Sequence, residues 1–144
     1  MQALPHIYKV TGAAKSEGNV SLSAKNLPDI VSAPPAEFGG PGDLWSPESL
    51  LVAAVADCFV LTFRAIAGPS KLEWSDLQCT AEGTLDRQER VTCFTAIAVQ
   101  ATLTVPAGVD PAKAQRVLEK AEASCLITSS LSAECHLEAT VAVA

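Results

Sequence analysis

The chain has few aromatic residues and little positive charge, and both shortages restrict what it can be. Phenylalanine, tryptophan and tyrosine make up 5% of its 144 residues, so small and branched aliphatic side chains must build a closely packed core. Ten lysines and arginines oppose sixteen carboxylates, and the net charge is −6. Because phosphate neutralisation needs clustered cations and none are clustered here, nucleic acid is not an expected partner.

The cysteines lack the spacing of a metal site or of a disulfide framework. They stand at positions 58, 79, 93, 125 and 135, an odd and irregular set without a CxxC pair. That pattern suits neither a structural zinc site nor a secreted disulfide scaffold, and we predict no bound metal. In a reducing compartment, the default role of each thiol is that of a small buried hydrophobic residue.

A secretion signal is also missing. The opening MQALPHIYKV has no basic stretch followed by an apolar run. Residues 50–67 are apolar and almost long enough to cross a bilayer, but they contain Asp57 and Arg64. Each of these charges costs roughly 2.5 to 3.5 kcal/mol at a bilayer centre. We therefore interpret the segment as a buried helix of a cytoplasmic protein.

Two helices are predicted from their end signals. The run SPE at 46–48 supplies a cap, a proline at the first helical position and a carboxylate for the helix dipole. Gly68 ends this helix after about 30 Å. Because it is apolar nearly all round, we expect it to be covered on most sides. Asp110 begins a second helix, whose apolar stripe ends at Cys125 and turns that thiol inward.

Alternating patterns predict strands before, between and after these helices. Residues 6–11 and 19–25 suggest a hairpin, and residues 77–85 and 91–105 a longer one. The last alternating run covers 136–143. The order indicates a single α+β domain over residues 1–144, with a largely antiparallel sheet and a long central helix.

Two stretches resemble the signature regions of the OsmC/Ohr family, the osmotically inducible and organic hydroperoxide resistance proteins. The run EFGGPGDLWSPESLLVAAVADCFVLTF, from 37 to 63, joins a Gly/Pro loop and a Pro-Glu helix start to a Cys-Phe pair. The run EKAEASCLITSSL, from 119 to 131, resembles the family's second cysteine region. The resemblance covers nearly the whole chain. It implies an OsmC-like fold and an intertwined homodimer with active sites at the subunit interface.

The resemblance implies a thiol-dependent peroxidase that acts on organic hydroperoxides without metal, haem or flavin. Cys58 would attack the terminal peroxide oxygen and become a sulfenic acid, which Cys125 would resolve as a disulfide. An external dithiol would then restore both thiols by exchange. Because burial raises the pKa of a thiol, we expect a cation beside Cys58.

The residues expected to activate Cys58 match the family only in part. The family's glutamate at the helix start corresponds to Glu48, but its N-terminal arginine is absent. Lys15, in GAAKSEG, is the best substitute by position, although an ammonium lacks the bidentate fork of a guanidinium. Leu126 follows Cys125 where the Ohr branch usually has proline. The chain therefore resembles the broader OsmC-like branch.

The helix that carries Glu48 and Cys58 favours a dimer. Ten residues of helix hold them about 15 Å apart, so they cannot share a site within one chain. A second subunit would have to supply Glu48, as two-fold symmetry permits. The simpler alternative is that Glu48 only complements the helix dipole. For Arg64 we expect a structural role near the helix end, the alternative being an approach to Cys58 from the partner chain.

The pocket lining and two rival functions stay open at this point. Trp45, Phe59 and Phe63 lie near Cys58 in sequence and are candidates to line a substrate pocket. One rival is an OsmC-like dimer that has lost peroxidase activity and binds a small apolar ligand, which the missing arginine favours. The other rival makes all five thiols inert packing residues.

Overall fold

The computed structural model describes every residue from Met1 to Ala144 and divides into two compact units. The first comprises Met1–Leu50 and the second Leu51–Ala144. Each unit contains one three-stranded sheet. The long helix α1, Pro47–Ala67, starts at the end of the first unit and continues into the second. The assignment of the whole chain to one domain stays a prediction.

The sheet of the first unit is small and antiparallel. Strands β1 (Thr11–Ala13) and β2 (Val20–Ser23) form the predicted hairpin, and β3 (Ile30–Ser32) pairs with the other side of β2. Residues 6–10 lie outside β1, so the first strand is shorter than its sequence pattern suggested. The sheet leads into the predicted Gly/Pro loop.

This loop brings two stretches of backbone too close together for a side chain. Its only helical piece is one 3-10 turn at Ala36–Phe38. At Gly40, an added Cβ would collide with the carbonyl oxygen of Pro34, and the Gly40 N–H donates to the carbonyl of Pro35 at 3.0 Å. Only glycine fits at position 40, because any side chain would clash with the backbone of Pro34.

The start of α1 is capped as the sequence predicts. The Ser46 hydroxyl accepts the Ser49 N–H at 3.1 Å, and the Ser49 hydroxyl accepts the Ser46 N–H at 2.8 Å. These reciprocal bonds satisfy backbone donors that the first helical turn leaves free. The helix then runs unbroken to Ala67, the predicted end.

The second unit has a mixed sheet. Strands β4 (Asp76–Gln88) and β5 (Val91–Val105) form the predicted antiparallel hairpin, while β6 (Glu134–Val143) pairs with β5 in parallel. Helix α2 (Pro111–Ser124) and the one-turn α3 (Leu126–Ser129) connect β5 to β6. The helical crossover returns the chain to the end where β5 began, and β6 therefore runs in the same direction as β5.

Both long helices bury one stripe against the sheet of the second unit. On α2 the stripe is Ala114, Val117, Leu118 and Ala121, as predicted, and Asp110 caps the helix by accepting the Ala112 N–H at 3.0 Å. On α1 the stripe is Val55, Phe59, Phe63 and Ala67. The edge-to-face pair of Phe63 and Trp74, with ring centroids 5.2 Å apart, belongs to the same core.

Within the chain, α1 is covered on one face only. The helix is long and apolar enough to span a membrane by length and composition, but its stripe of large side chains packs in the core. The sequence predicted cover on most sides, whereas Leu61, on another face, is 52% exposed. This uncovered face is apolar surface that a folded chain ordinarily hides.

Gly83 on β4 supports the close packing of α1 on this sheet. A Cβ at this position would lie 2.8 Å from a ring carbon of Phe94 and 2.9 Å from Cγ2 of Val52. We expect Gly83→Ala to lower the free energy of unfolding by about 1 to 3 kcal/mol, because overpacking forces its neighbours apart. Urea denaturation of both proteins measures the difference.

The control is Gly12→Ala, in which the new Cβ lies 3.5 Å from its nearest atom, an ordinary contact. A Gly83→Ala protein as stable as this control contradicts the packing argument.

Candidate active site

An open apolar cleft lies between one face of α1 and the short helix α3. Its volume is about 420 Å³. Apolar side chains form most of its surface, and Cys58, Thr62 and Asp57 are the exceptions. The lining residues are Ala54, Asp57, Cys58, Leu61, Thr62, Ala65, Leu126 and Ile127. The cleft therefore presents a sulfur atom to a small apolar molecule.

Cys58 faces this cleft and not the core. We expected an inward-pointing thiol, but the inward stripe of α1 is formed by Phe59 and its neighbours at four-residue spacing, and Cys58 is half-buried beside it. Its Sγ lies 3.8 Å from Oγ1 of Thr62, one helical turn further on. A sulfur in this position can be reached by a substrate while part of its surface is shielded from water.

Cys125 forms the joint between α2 and α3. Helix α2 ends at Ser124 and α3 begins at Leu126, because Cys125 has an extended backbone with φ −66° and ψ 112°. Its side chain is 1% exposed, and its carbonyl oxygen accepts hydrogen bonds from the hydroxyls of Thr128 and Ser129. The joint places the thiol in the interior and leaves the first N–H groups of α3 without helical partners.

Hydrogen bonds lower the pKa of Cys58 below that of an ordinary thiol. Desolvation by burial is the largest single influence and raises the pKa, but four donors around the sulfur together outweigh it. In falling order of effect they are the Ile127 N–H, the Cys125 thiol, the Thr62 hydroxyl and the Leu126 N–H. Because these bonds favour the charged form, a larger fraction of Cys58 is the nucleophilic thiolate at neutral pH.

The donors to Cys58 within the chain are backbone, hydroxyl and thiol groups. Among the residues that line the cleft there is no lysine or arginine, and the expected cation beside Cys58 stays a prediction. Arg64 is exposed on α1, and Lys15 is exposed in the turn between β1 and β2. The roles suggested for these two side chains stay predictions that need a second chain.

Comparison with known proteins decides the family. The family model described as OsmC-like protein matches residues 40–140. The chain belongs to the OsmC-like family. Uncharacterized protein YmaD of Bacillus subtilis is 31% identical over 126 residues, 84% of this chain and 83% of YmaD. Peroxiredoxin OsmC of Escherichia coli is 30% identical over 93 residues, 65% of this chain and 64% of that protein.

A solved structure also shares the fold of this OsmC-like chain. It is the crystal structure of an organic hydroperoxide resistance protein OsmC from Legionella pneumophila, with a TM-score of 0.75 and 24% identity. The match covers 98% of this chain and 99% of the other. The likeness shows the fold, and the expected OsmC-like α+β class is confirmed.

The aromatic residues expected near Cys58 do not line the cleft of the OsmC-like chain. Phe59 and Phe63 are 1% and 0% exposed and belong to the hydrophobic core, because they lie on the opposite side of α1 from the cleft. Trp45 is 53% exposed in the first unit, where it bridges to Ser32. The lining is aliphatic instead, with Leu61 and Leu126 as its largest exposed members.

Glu48 lines a separate apolar cavity within the first unit. This cavity has a volume of about 500 Å³, and Glu48 supplies its only charged side chain. The lining residues are Val20, Leu22, Ser32, Ala33, Pro34, Pro35, Phe38, Pro47, Glu48 and Leu50. Oε1 of Glu48 is buried and has no hydrogen-bond partner. A buried acceptor in this state costs free energy, so a donor from outside the chain would stabilise it.

Three contributors to the Cys58 environment were missed by sequence reasoning. Thr62 could have been found, because a polar residue four positions after Cys58 lies on the same helical face. The N–H groups of Leu126 and Ile127 could not have been found, because their position beside Cys58 depends on the helix break at Cys125. No residue type at that position signals such a break.

The Thr62 hydroxyl offers a test of this environment. We expect Thr62→Val to raise the pKa of Cys58, because one donor to the thiolate is removed while side-chain shape is kept. Below the pKa, where thiolate is limiting, alkylation of Cys58 by iodoacetamide should slow by about two- to fivefold. At alkaline pH the two rates should converge. Thr62→Ser, which keeps the hydroxyl, is the matched control, and equal pH profiles for all three proteins would rule out the hydroxyl's role.

Proposed function

We propose that the chain is a thiol-dependent peroxidase that reduces organic hydroperoxides in the cytoplasm, with Cys58 as the attacking thiol and Cys125 as the resolving thiol. The observation that carries the proposal is the lowered pKa of Cys58 at the wall of an apolar cleft, with the Cys125 thiol among its hydrogen-bond donors. The name peroxiredoxin, borne by the relative from Escherichia coli, supports the same chemistry.

The first step uses the thiolate of Cys58. Its sulfur attacks the terminal oxygen of the hydroperoxide, an S–O bond forms, and the O–O bond breaks with its electron pair on the alkoxide. The alkoxide takes a proton from water and leaves as an alcohol. Cys58 is thereby oxidised to a sulfenic acid. The N–H groups of Ile127 and Leu126 lower the pKa of Cys58 and so increase the fraction of thiolate that can attack.

The second step uses the buried thiol. The sulfur of Cys125 attacks the sulfenic sulfur of Cys58, an S–S bond forms, and the S–O bond breaks. The hydroxide that leaves takes the proton of Cys125 and departs as water. The Cys125 thiol lies close enough to Cys58 to lower its pKa, which favours this pair for the disulfide. An external dithiol then reduces the disulfide by exchange.

The lining of the cleft favours an alkyl or aryl hydroperoxide over hydrogen peroxide. Its walls are aliphatic and include the exposed Leu61 and Leu126. Binding of an apolar substrate removes this apolar surface from water, which favours binding. At about 420 Å³ the cleft falls within the usual size of small-molecule sites. Hydrogen peroxide has no apolar surface to bury and would gain nothing from this lining.

We also propose that the chain works as a homodimer. The uncovered face of α1 and the exposed Leu126 provide apolar surface for a second copy. The buried Oε1 of Glu48 has no hydrogen-bond partner in its own chain and could accept a bond from a second copy. In such a dimer, Glu48 and Lys15 of one subunit would complete the Cys58 site of the other, because α1 holds Glu48 about 15 Å from its own Cys58.

The direct test is consumption of cumene hydroperoxide by the purified protein with excess dithiothreitol. We expect many equivalents of peroxide to be reduced per chain, and faster reduction of cumene hydroperoxide than of hydrogen peroxide. Protein whose thiols have first been blocked with N-ethylmaleimide is the control. A rate no higher than that of dithiothreitol with the blocked protein would overturn the proposal.

Two observations favour a second candidate function, the binding of a small apolar ligand without catalysis. The cavity of the first unit is apolar and larger than the cleft at Cys58, and no arginine precedes α1. In this case, a hydrophobic dye would bind the protein and be displaced by apolar molecules, while peroxide would be left intact in the consumption assay. Peroxide reduction that requires Cys58 decides for the enzyme.

A further inference from the structure

A third cysteine lies at the same end of the second unit as Cys125. Helix α2 packs against β6, and only α3 and a short turn join them, so the end of α2 and the start of β6 are neighbours. Cys125 faces inward from the end of α2. Cys135 is the second residue of β6, half-buried, on the strand face that packs against the core. The two cysteines therefore lie at neighbouring ends of two elements that pack together.

A fourth cysteine, Cys79 on β4, is a useful comparison because it cannot pair with Cys135. Cys79 is opposite Ala101 of β5, which is opposite Ala139 of β6. Cys79 and Cys135 are thus two strands and four residues apart, about 16 Å at ordinary sheet spacings. A direct disulfide between Cys79 and Cys135 is therefore excluded.

Electrostatic coupling supports this arrangement. Desolvation is the largest cause of the raised pKa of Cys135, and the charges of Glu122 and Cys125 add to it. Burial raises the pKa of Cys79 to about 11, with a further contribution from Cys125. Cys125 is therefore the common neighbour of Cys58, Cys79 and Cys135. Of the last two, Cys135 lies on β6, the strand against which α2 packs.

We infer that Cys135 is a second disulfide partner of Cys125 and takes the disulfide over from Cys58. The inference rests on the proposed function for its first step, which forms the bond between Cys58 and Cys125. The Cys135 thiol then loses its proton to water, and its sulfur attacks Sγ of Cys125. A Cys125–Cys135 bond forms, the Cys58–Cys125 bond breaks, and its electron pair leaves on Cys58 as a thiolate. The exchange has no net oxidation or reduction.

The donors around Cys58 favour this direction. A thiol whose anion is stabilised is the better leaving group in disulfide exchange, and the N–H groups of Ile127 and Leu126 stabilise the anion of Cys58. The Cys135 thiol makes one weak hydrogen bond, to the carbonyl oxygen of Ala133 at 3.6 Å, so its loss on disulfide formation costs little. The transfer would return Cys58 to its reactive form before an external dithiol arrives.

The experiment maps disulfides after cleavage at glutamate, which places every cysteine on a different peptide. Trypsin would leave Cys125 and Cys135 on one fragment, because no lysine or arginine follows Lys120. Cleavage after Glu122, Glu134 and Glu138 separates them. The intact protein is treated with one equivalent of cumene hydroperoxide and quenched over time with acid. We expect the Cys58–Cys125 link first and the Cys125–Cys135 link later.

A second arm needs no peroxidase activity. Cys58→Ser protein is oxidised with diamide, and we expect the Cys125–Cys135 link to form directly. If peroxide forms no disulfide in the unmodified protein while diamide links Cys125 to Cys135 in the variant, the proposed function fails and the pairing survives. If diamide forms no such link and peroxide gives only Cys58–Cys125, the inference is overturned and the proposed function survives.

The variant Cys135→Ala measures the consequence for Cys58. After one equivalent of peroxide, we expect at least about fivefold less alkylatable Cys58 in this variant than in the unmodified protein, because the disulfide cannot move on. Cys79→Ala is the matched control and should behave like the unmodified protein. Circular dichroism checks that each variant is folded, and Cys135→Ser is the replacement if the alanine variant is not. Equal recovery of Cys58 in both alanine variants contradicts the transfer.

Discussion

Replacing Cys58 by serine should abolish peroxide reduction, with a loss of at least about a thousandfold in steady-state rate. A serine hydroxyl stays protonated at neutral pH, so the donors from α3 and Thr62 have no anion to stabilise. Consumption of cumene hydroperoxide with dithiothreitol measures the loss. The fold should be unaffected, because Cys58 faces the cleft and none of the core depends on it.

The control for this prediction is Cys93→Ser. Cys93 lies near the start of β5, opposite Asp86 on the hairpin, and does not line the cleft. Its replacement should leave the peroxide assay unchanged. If Cys58→Ser retained most of the rate while Cys93→Ser lost it, the attacking thiol would have been assigned to the wrong cysteine.

Replacing Cys125 by serine should separate the two chemical steps. The first equivalent of peroxide should still be consumed, more slowly, because the Cys125 thiol is one of the donors that lower the pKa of Cys58. The steady rate with dithiothreitol should fall by about ten- to a hundredfold, because the sulfenic acid has no internal partner. Cys58 should instead gain two oxygen atoms as a sulfinic acid when peroxide is in excess.

Mass spectrometry distinguishes these outcomes. Dimedone should label Cys58 in the Cys125→Ser protein after one equivalent of peroxide, and should label little of it in the unmodified protein, where the sulfenic acid is short-lived. Equal labelling in both proteins would show that Cys125 does not resolve Cys58. The assay therefore tests the role of Cys125 independently of the overall rate.

Much of the fold could be predicted because its signals are local. The SPE run and Gly68 set both ends of α1, and Asp110 set the start of α2. The parallel pairing of β6 with β5 could not be predicted in this way. Alternation shows which face of a strand is buried, but the direction of a neighbouring strand depends on where the crossover leaves the chain.

The candidate site was predictable in its residues and less so in its geometry. The resemblance selected Cys58 and Cys125, but the apolar sequence of α1 gives no sign of which face is covered. For this reason Phe59 and Phe63 were assigned to the pocket, although they form the core. The expectation of a cation beside Cys58 was based on desolvation. The hydrogen bonds from α3 that also lower the pKa of Cys58 could not be predicted, because they depend on the helix break at Cys125.

The extended backbone of Cys125 links the acidity of one sulfur to the position of the other. The residue that carries the buried thiol also sets where α3 begins, and so where the Leu126 and Ile127 N–H groups point. When Cys125 shifts to close a bond with Cys58, these two amides shift with it. Substitutions at the joint, Leu126→Pro among them, should consequently alter the reactivity of a thiol more than sixty residues earlier in the chain.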